Sequence, residues 1–132
     1  MAHFAELNDS NEVINLIVIN NFDILDEDGK ESEAIGIALA KEITNSSNDW
    51  VQTSYNNNFR KQLGEPGFTY DETKDIFIAP KPYASWTLDD NSDWQPPIAK
   101  PDYDGDGSEW WWQEDENKWG KLNSEGEWVY NE

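Results

Sequence analysis

The C-terminal half of this chain sets large aromatic residues in pairs on either side of short acidic runs, and few folds accept that pattern. Seven of the eight tryptophans lie beyond Asp75: Trp86, Trp94, Trp110, Trp111, Trp112, Trp119 and Trp128. Between paired aromatics stand Asp89-Asp90-Asn91-Ser92-Asp93 and Gln113-Glu114-Asp115-Glu116-Asn117. Bulky flat residues favour a pleated surface, whereas Asp, Asn and Ser favour tight turns, so each unit predicts a β-hairpin. Four such units follow one another. They are Phe68–Tyr70 with Asp75–Ile78, Trp86–Leu88 with Asp93–Trp94, Trp110–Trp112 with Lys118–Trp119, and a last turn at Asn123–Gly126 before Glu127–Tyr130. Their spacing is irregular, which argues against a solenoid. Proline-bearing connectors at 79–83 and 95–101 read as stiff, extended links.

The first half reads differently. Residues 3–8 alternate apolar and polar, 8–11 form a turn, and Val13 to Asn20 is a nearly continuous β-branched run that reads as a buried central strand. Ala34, Ile35, Ile37, Ala38, Leu39 and Ile43 recur at helical spacing, predicting one helix over Glu31 to Thr44, capped by Ser32 or Asp28. Trp50 to Tyr55 reads as a further strand. The expected fold is therefore α+β: an N-terminal β-hairpin, one helix and mostly antiparallel strands, then an aromatic β-hairpin tail. The expected division is 1–79 and 80–132, with the second part packing on the first or on a partner.

Charge narrows the function. Twenty-eight acids face nine bases, for a net charge of −19. Binding to nucleic acid or to an anionic membrane needs clustered Lys and Arg, so neither is an expected partner. A cationic partner or a divalent cation suits the balance better. Cysteine is absent, so no disulfide or thiolate metal site exists. The opening residues carry no basic and apolar leader pattern, and the apolar run at 14–19 is too short to span a bilayer. Synthesis in a cytoplasm is expected.

Catalysis has little support. His3 is the lone histidine and reads as a strand residue. Acid pairs are so abundant that a glycosidase-like pair carries no signal, and no phosphate-cradling glycine loop is present. Asp102, Asp104 and Asp106 with Gly107 match the first half of an EF-hand calcium loop, D-x-D-x-D-G. Gln113 stands where that loop needs its bidentate Glu, so a solvated acidic approach is the favoured reading and calcium the weaker one. The tryptophans carry the stronger signal. Successive side chains of a strand face opposite ways, so Trp111 faces away from Trp110 and Trp112, and at least one of the three is exposed unless both faces are covered. An exposed indole marks a protein interface or, as the alternative, a platform for sugar stacking.

The run Met1-Ala-His-Phe-Ala-Glu-Leu, the segment Asp23 to Glu33, the block Trp50-Val-Gln-Thr-Ser-Tyr-Asn56 with Asn58-Phe59-Arg60, and Phe68-Thr-Tyr70-Asp71-Glu72 followed by Ala79-Pro80-Lys81-Pro82-Tyr83 resemble a family of small proteins of marine tailed bacteriophages, including cyanophages. The resemblance spans nearly the whole chain and implies a virion-associated component of head or tail. It departs at Asp102–Gly107 and at the triple tryptophan, where that family has a shorter Pro-Asp-Asp-Gly turn. The expected function is a non-enzymatic virion structural protein that contacts other virion proteins or itself through Trp86, Trp94, Trp110, Trp111, Trp112, Trp119 and Trp128. The alternatives are a tip module that binds a host surface glycan and a tail-fibre assembly chaperone.

Overall fold

The structure, a computed structural model, describes all 132 residues, Met1–Glu132. It is α+β, with one helix and many antiparallel strands in small sheets. The chain divides into two compact units, Met1–Pro80 and Lys81–Glu132.

In the first unit, β1 (Ala2–Leu7) and β2 (Val13–Ile19) form the opening hairpin, α1 (Glu33–Thr44) crosses over, and β3 (Asp49–Thr53) returns antiparallel to β1. The sheet order is β2-β1-β3. The buried central strand is thus β1, not the apolar run of β2, whose Ile14 and Val18 are about half exposed. A continuous β-branched run marks a good strand but not its place in the sheet. That place is set by the helical crossover, which brings β3 back beside β1.

Both faces of β1 are covered. Ala2, Phe4, Ile19 and Trp50 pack with Ile24 and Ala40, under α1 and the 3-10 turn Asn21–Ile24. Ala5, Leu7 and Val13 pack on the other side against Tyr70 and Phe77 of the hairpin β4 (Thr69–Asp71) and β5 (Ile76–Ile78). Burial of each large side chain contributes about 1.5–3 kcal/mol. Two glycines permit the close approach. A Cβ on Gly36 would lie 2.0 Å from a Phe4 ring carbon, and one on Gly64 2.4 Å from Phe77.

The helix begins at Glu33 rather than Glu31, because Glu31 bridges back to Leu25 and Ser32 Oγ accepts the Ile35 N–H at 3.3 Å. It ends at Asn45, whose left-handed backbone (φ 53°) turns the Ser46 N–H onto the Lys41 carbonyl at 3.1 Å.

One five-residue loop recurs at Asn8–Glu12, Asp26–Lys30, Asp89–Asp93 and Asn123–Glu127. In each, Oδ1 of the first residue accepts the N–H groups of the third and fifth. The fourth residue has positive φ: Asn11 60°, Gly29 77°, Ser92 62° and Gly126 79°. An Asx side chain thus closes the turn from inside, and the fourth position takes the left-handed conformation that completes it. Acidity in these loops is therefore partly structural.

Two charged clusters brace the first unit. The Glu6 carboxylate, buried in β1, accepts from Ser46 Oγ at 2.6 Å and from Asn48 Nδ2 at 2.9 Å. The Ser46 bond chiefly holds its pKa below the ordinary carboxylate value, against the opposing effect of burial. Arg60 donates to Glu33, to Asp75 at 2.8 Å and to the Gln52 carbonyl at 2.8 Å. Tyr70 donates its hydroxyl to Asp75, and burial followed by that bond pushes its pKa up to about 12. Burial works against the Glu33 charge, yet Arg60 and the Gln52 N–H more than offset it and leave its pKa lowered.

Depressed carboxylates stabilise the fold above their unfolded pKa and lose that contribution as pH falls through the folded value. Unfolded glutamate titrates near about 4.3, so stability should decline below about pH 5. Glu6→Gln is expected to cost about 1–2 kcal/mol at neutral pH and to converge on wild type under acid, read as chemical-denaturation midpoints against pH. Two parallel curves would show that Glu6 carries no such linkage.

Candidate functional site

The second unit is built from two small sheets. β6 (Thr87–Leu88) pairs with β7 (Trp94–Gln95), and β8 (Trp111–Gln113), β9 (Lys118–Leu122) and β10 (Trp128–Tyr130) form an antiparallel sheet in the order β10-β9-β8. Register sorts the aromatics. Trp112 pairs with Trp119, whereas Trp111 pairs with Gly120, which pairs in turn with Tyr130. Side-chain alternation then puts Trp112 and Trp119 on one face and Trp111, Tyr130, Trp128 and Leu122 on the other.

The first face is core. Trp112 and Trp119 are each 6% exposed. Their rings meet edge-on at 5.5 Å, and Trp86 leans on both at 6.3 and 6.4 Å, with Tyr83 behind it at 5.5 Å. Trp119 Nε1 donates to the Ile98 carbonyl at 2.7 Å and Trp112 Nε1 to Glu114 at 2.8 Å. Glu114 also accepts from Ser85 Oγ at 2.6 Å, and these bonds, the Ser85 one foremost, lower its pKa.

The second face is open. Trp111 is 63% exposed, Trp128 48% and Leu122 47%. The Trp128 and Tyr130 rings lie 6.4 Å apart and nearly parallel, at 19°. Tyr130 folds over Gly120, where an added Cβ would meet its ring at 3.1 Å. Trp111, Leu122, Trp128 and Tyr130 thus share one face of the three-stranded sheet. Beside it, Tyr83, Trp86, Lys100, Glu109, Trp110, Trp111, Trp112 and Trp119 line a cleft of about 260 Å³.

The seven tryptophans singled out by sequence thus divide. Trp112 and Trp119, with Trp86, form the core. Trp110 is half-buried under Lys121, and Trp94 carries the Lys81 ammonium over its ring at 5.9 Å. Trp111 and Trp128 face outward. Tyr83, Lys100, Leu122 and Tyr130 join the site without having been singled out for it, and Glu109, a neighbour of the acidic loop read as a cation ligand, joins it too. Parity with Trp128 marks Tyr130, whereas no local signal marks Tyr83 or Lys100.

Asp102, Asp104 and Asp106 do not converge into a group able to hold a metal ion. The Lys121 ammonium takes the central position instead: it pairs with Asp104 and, at 2.8 Å, with Asp106, and lies 4.7 Å from the Trp110 ring centroid. Lys121 is chiefly what holds the Asp106 carboxyl far below its ordinary range, while Asp104 and Asp106 raise the Lys121 pKa. Asp106 Oδ1 is further used by Ser108 N–H and Oγ, at 2.9 and 2.6 Å. With Lys121 in place, about 1 mM calcium is expected to leave proteolysis at residues 102–108 unchanged. Lys121→Met should make that loop several-fold more sensitive. Calcium protection of the wild-type loop would show that the ion displaces the lysine.

In the first unit, His3 stacks on Tyr55 at 5.4 Å, and the Arg60 donors are spent on Glu33, Asp75 and Gln52. No helix is long and apolar enough to cross a membrane. No family of known proteins matches the sequence, and neither a curated protein nor a solved structure is significantly similar to it.

Proposed function

We propose that this chain is a non-enzymatic structural protein of a bacteriophage particle, on the head surface or tail, acting through protein–protein contacts of its aromatic C-terminal unit. The observation that carries the contact reading is Trp111, 63% exposed in a regular strand and flanked on the same face by Trp128, Tyr130 and Leu122. Large aromatics left together in water mark interfaces. The particle assignment rests on the family resemblance. Net charge of −19 disfavours contact with packaged DNA and suits an outer location. The partners are other virion proteins or further copies of this chain.

Mass spectrometry of purified particles tests this. The chain should be recovered at a fixed ratio to the major structural proteins. Its absence from mature particles would overturn the structural role and leave the assembly chaperone. A glycan-binding tip module is the second reading, favoured by the flat pairing of Trp128 with Tyr130. It requires tryptophan fluorescence to change with host polysaccharide.

A further inference from the structure

We propose that the aromatic cleft of Lys81–Glu132 receives a lysine or arginine side chain presented by a partner protein, an inference that rests on the contact reading above and names the chemistry of the partner. Charge favours a cation. This unit holds thirteen acids and four lysines, net −9, so a basic segment is drawn to it and an acidic one repelled.

The unit already holds its own cations on indole faces. Three of its four lysines lie over indole rings: Lys81 on Trp94 at 5.9 Å, Lys100 on Trp119 at 5.9 Å and Lys121 on Trp110 at 4.7 Å. Indole faces attract ammonium and guanidinium groups through the ring quadrupole. Lys121 is locked, its side chain only 5% exposed between two carboxylates. Lys100 differs. It stands in the cleft, its side chain is 51% exposed, and its one carboxylate partner, Glu109, is 3.6 Å away and 65% exposed. Such a pair is weak and screened, so an incoming cation can replace Lys100 over Trp119 and take Glu109 as its counter-ion.

The cleft presents few polar groups. The Trp112 and Trp119 indole N–H groups are bonded inside the protein, and those of Trp86 and Trp110 are sealed from solvent. A sugar needs several converging polar groups for its hydroxyls. Here a ligand meets mainly π surface, with the Glu109 carboxylate, the displaceable Lys100 ammonium, the Tyr83 hydroxyl and the Trp111 indole N–H as the polar groups left.

The test is an NMR titration of the intact chain, following the indole N–H resonances of Trp86, Trp110 and Trp119. The probes are Ac-Gly-Lys-Gly-NH2, its arginine counterpart, and the uncharged isostere Ac-Gly-norleucine-Gly-NH2. Saturating shifts at millimolar probe are expected, with the cationic peptides binding about fivefold or more tightly than norleucine, the ratio that a partly desolvated cation–π contact supplies. Glu109→Gln should weaken the lysine probe several-fold. Lys100→Met should strengthen it, because the internal competitor is gone. Both positions are on the exposed rim, so the fold is retained.

Equal binding of norleucine and lysine, no strengthening in Lys100→Met, or shifts with methyl glucoside but not with lysine would each overturn the proposal. None of these outcomes removes the chain from particles, so they leave the structural role standing.

Discussion

Trp119→Ala is expected to unfold the Lys81–Glu132 unit. Trp119 is 6% exposed at the meeting point of Trp86 and Trp112, and its Nε1 closes onto the Ile98 carbonyl. Removing a buried indole costs about 3–5 kcal/mol, through lost burial and the cavity left behind. A unit of this size seldom has more than about 3–5 kcal/mol of stability, so the loss consumes its margin. Limited proteolysis should cut residues 81–132 rapidly while 1–80 resists, and Trp119→Phe should restore most of the protection. A protease-resistant Trp119→Ala chain would mean that this cluster is not the core of the unit.

Gly36→Ala separates two opposed effects. Alanine is the better helix former, by about 0.8–1.0 kcal/mol, so propensity alone predicts a more stable protein. Packing predicts the reverse. The new Cβ would lie 2.0, 2.6 and 2.8 Å from three carbons of the Phe4 ring, which is fully buried. Relieving that overlap requires the Phe4 ring or α1 to shift, disturbing the core formed with Ile19, Ile24 and Trp50. Overpacking costs about 1–3 kcal/mol and sometimes more, and the overlap here is severe. A net loss of about 2–3 kcal/mol is expected, read as a drop in denaturation midpoint. A midpoint raised above wild type would show that α1 is not seated on Phe4 as described.

The local parts of the fold were legible, since hairpin turns, helix caps and strand alternation depend on neighbours within a few residues. Ser32 and the run 34–43 carry α1, and an Asx residue three positions before Asn, Gly or Ser carries the recurring loop. The order of β1 and β2 was not legible, because both are apolar and only the crossover decides which one β3 joins. Glu6 finds Ser46 and Asn48 across 40 and 42 residues, and nothing near Glu6 announces them. Asp104 and Asp106 read as cation ligands, and they are, but the cation is a lysine 15 to 17 residues away.

The site divides along the same line. Alternation alone places Trp111 opposite Trp110 and Trp112. Which of the two faces is covered depends on Trp119 and on the segment carrying Tyr83 and Trp86, a tertiary fact. Five of the seven tryptophans pack within the unit or against its own lysines, and the outward face owes as much to Tyr130 and Leu122 as to Trp111 and Trp128.

The central claim is that the outward face of β8–β10 attaches this chain to a particle. The direct measurement is the stoichiometry of Trp111→Ser in purified particles, beside its thermal stability. Since Trp111 is 63% exposed, the substitution should leave folding within about 0.5 kcal/mol of wild type and deplete the chain from particles at least tenfold. A folded variant incorporated at the wild-type ratio would contradict the claim.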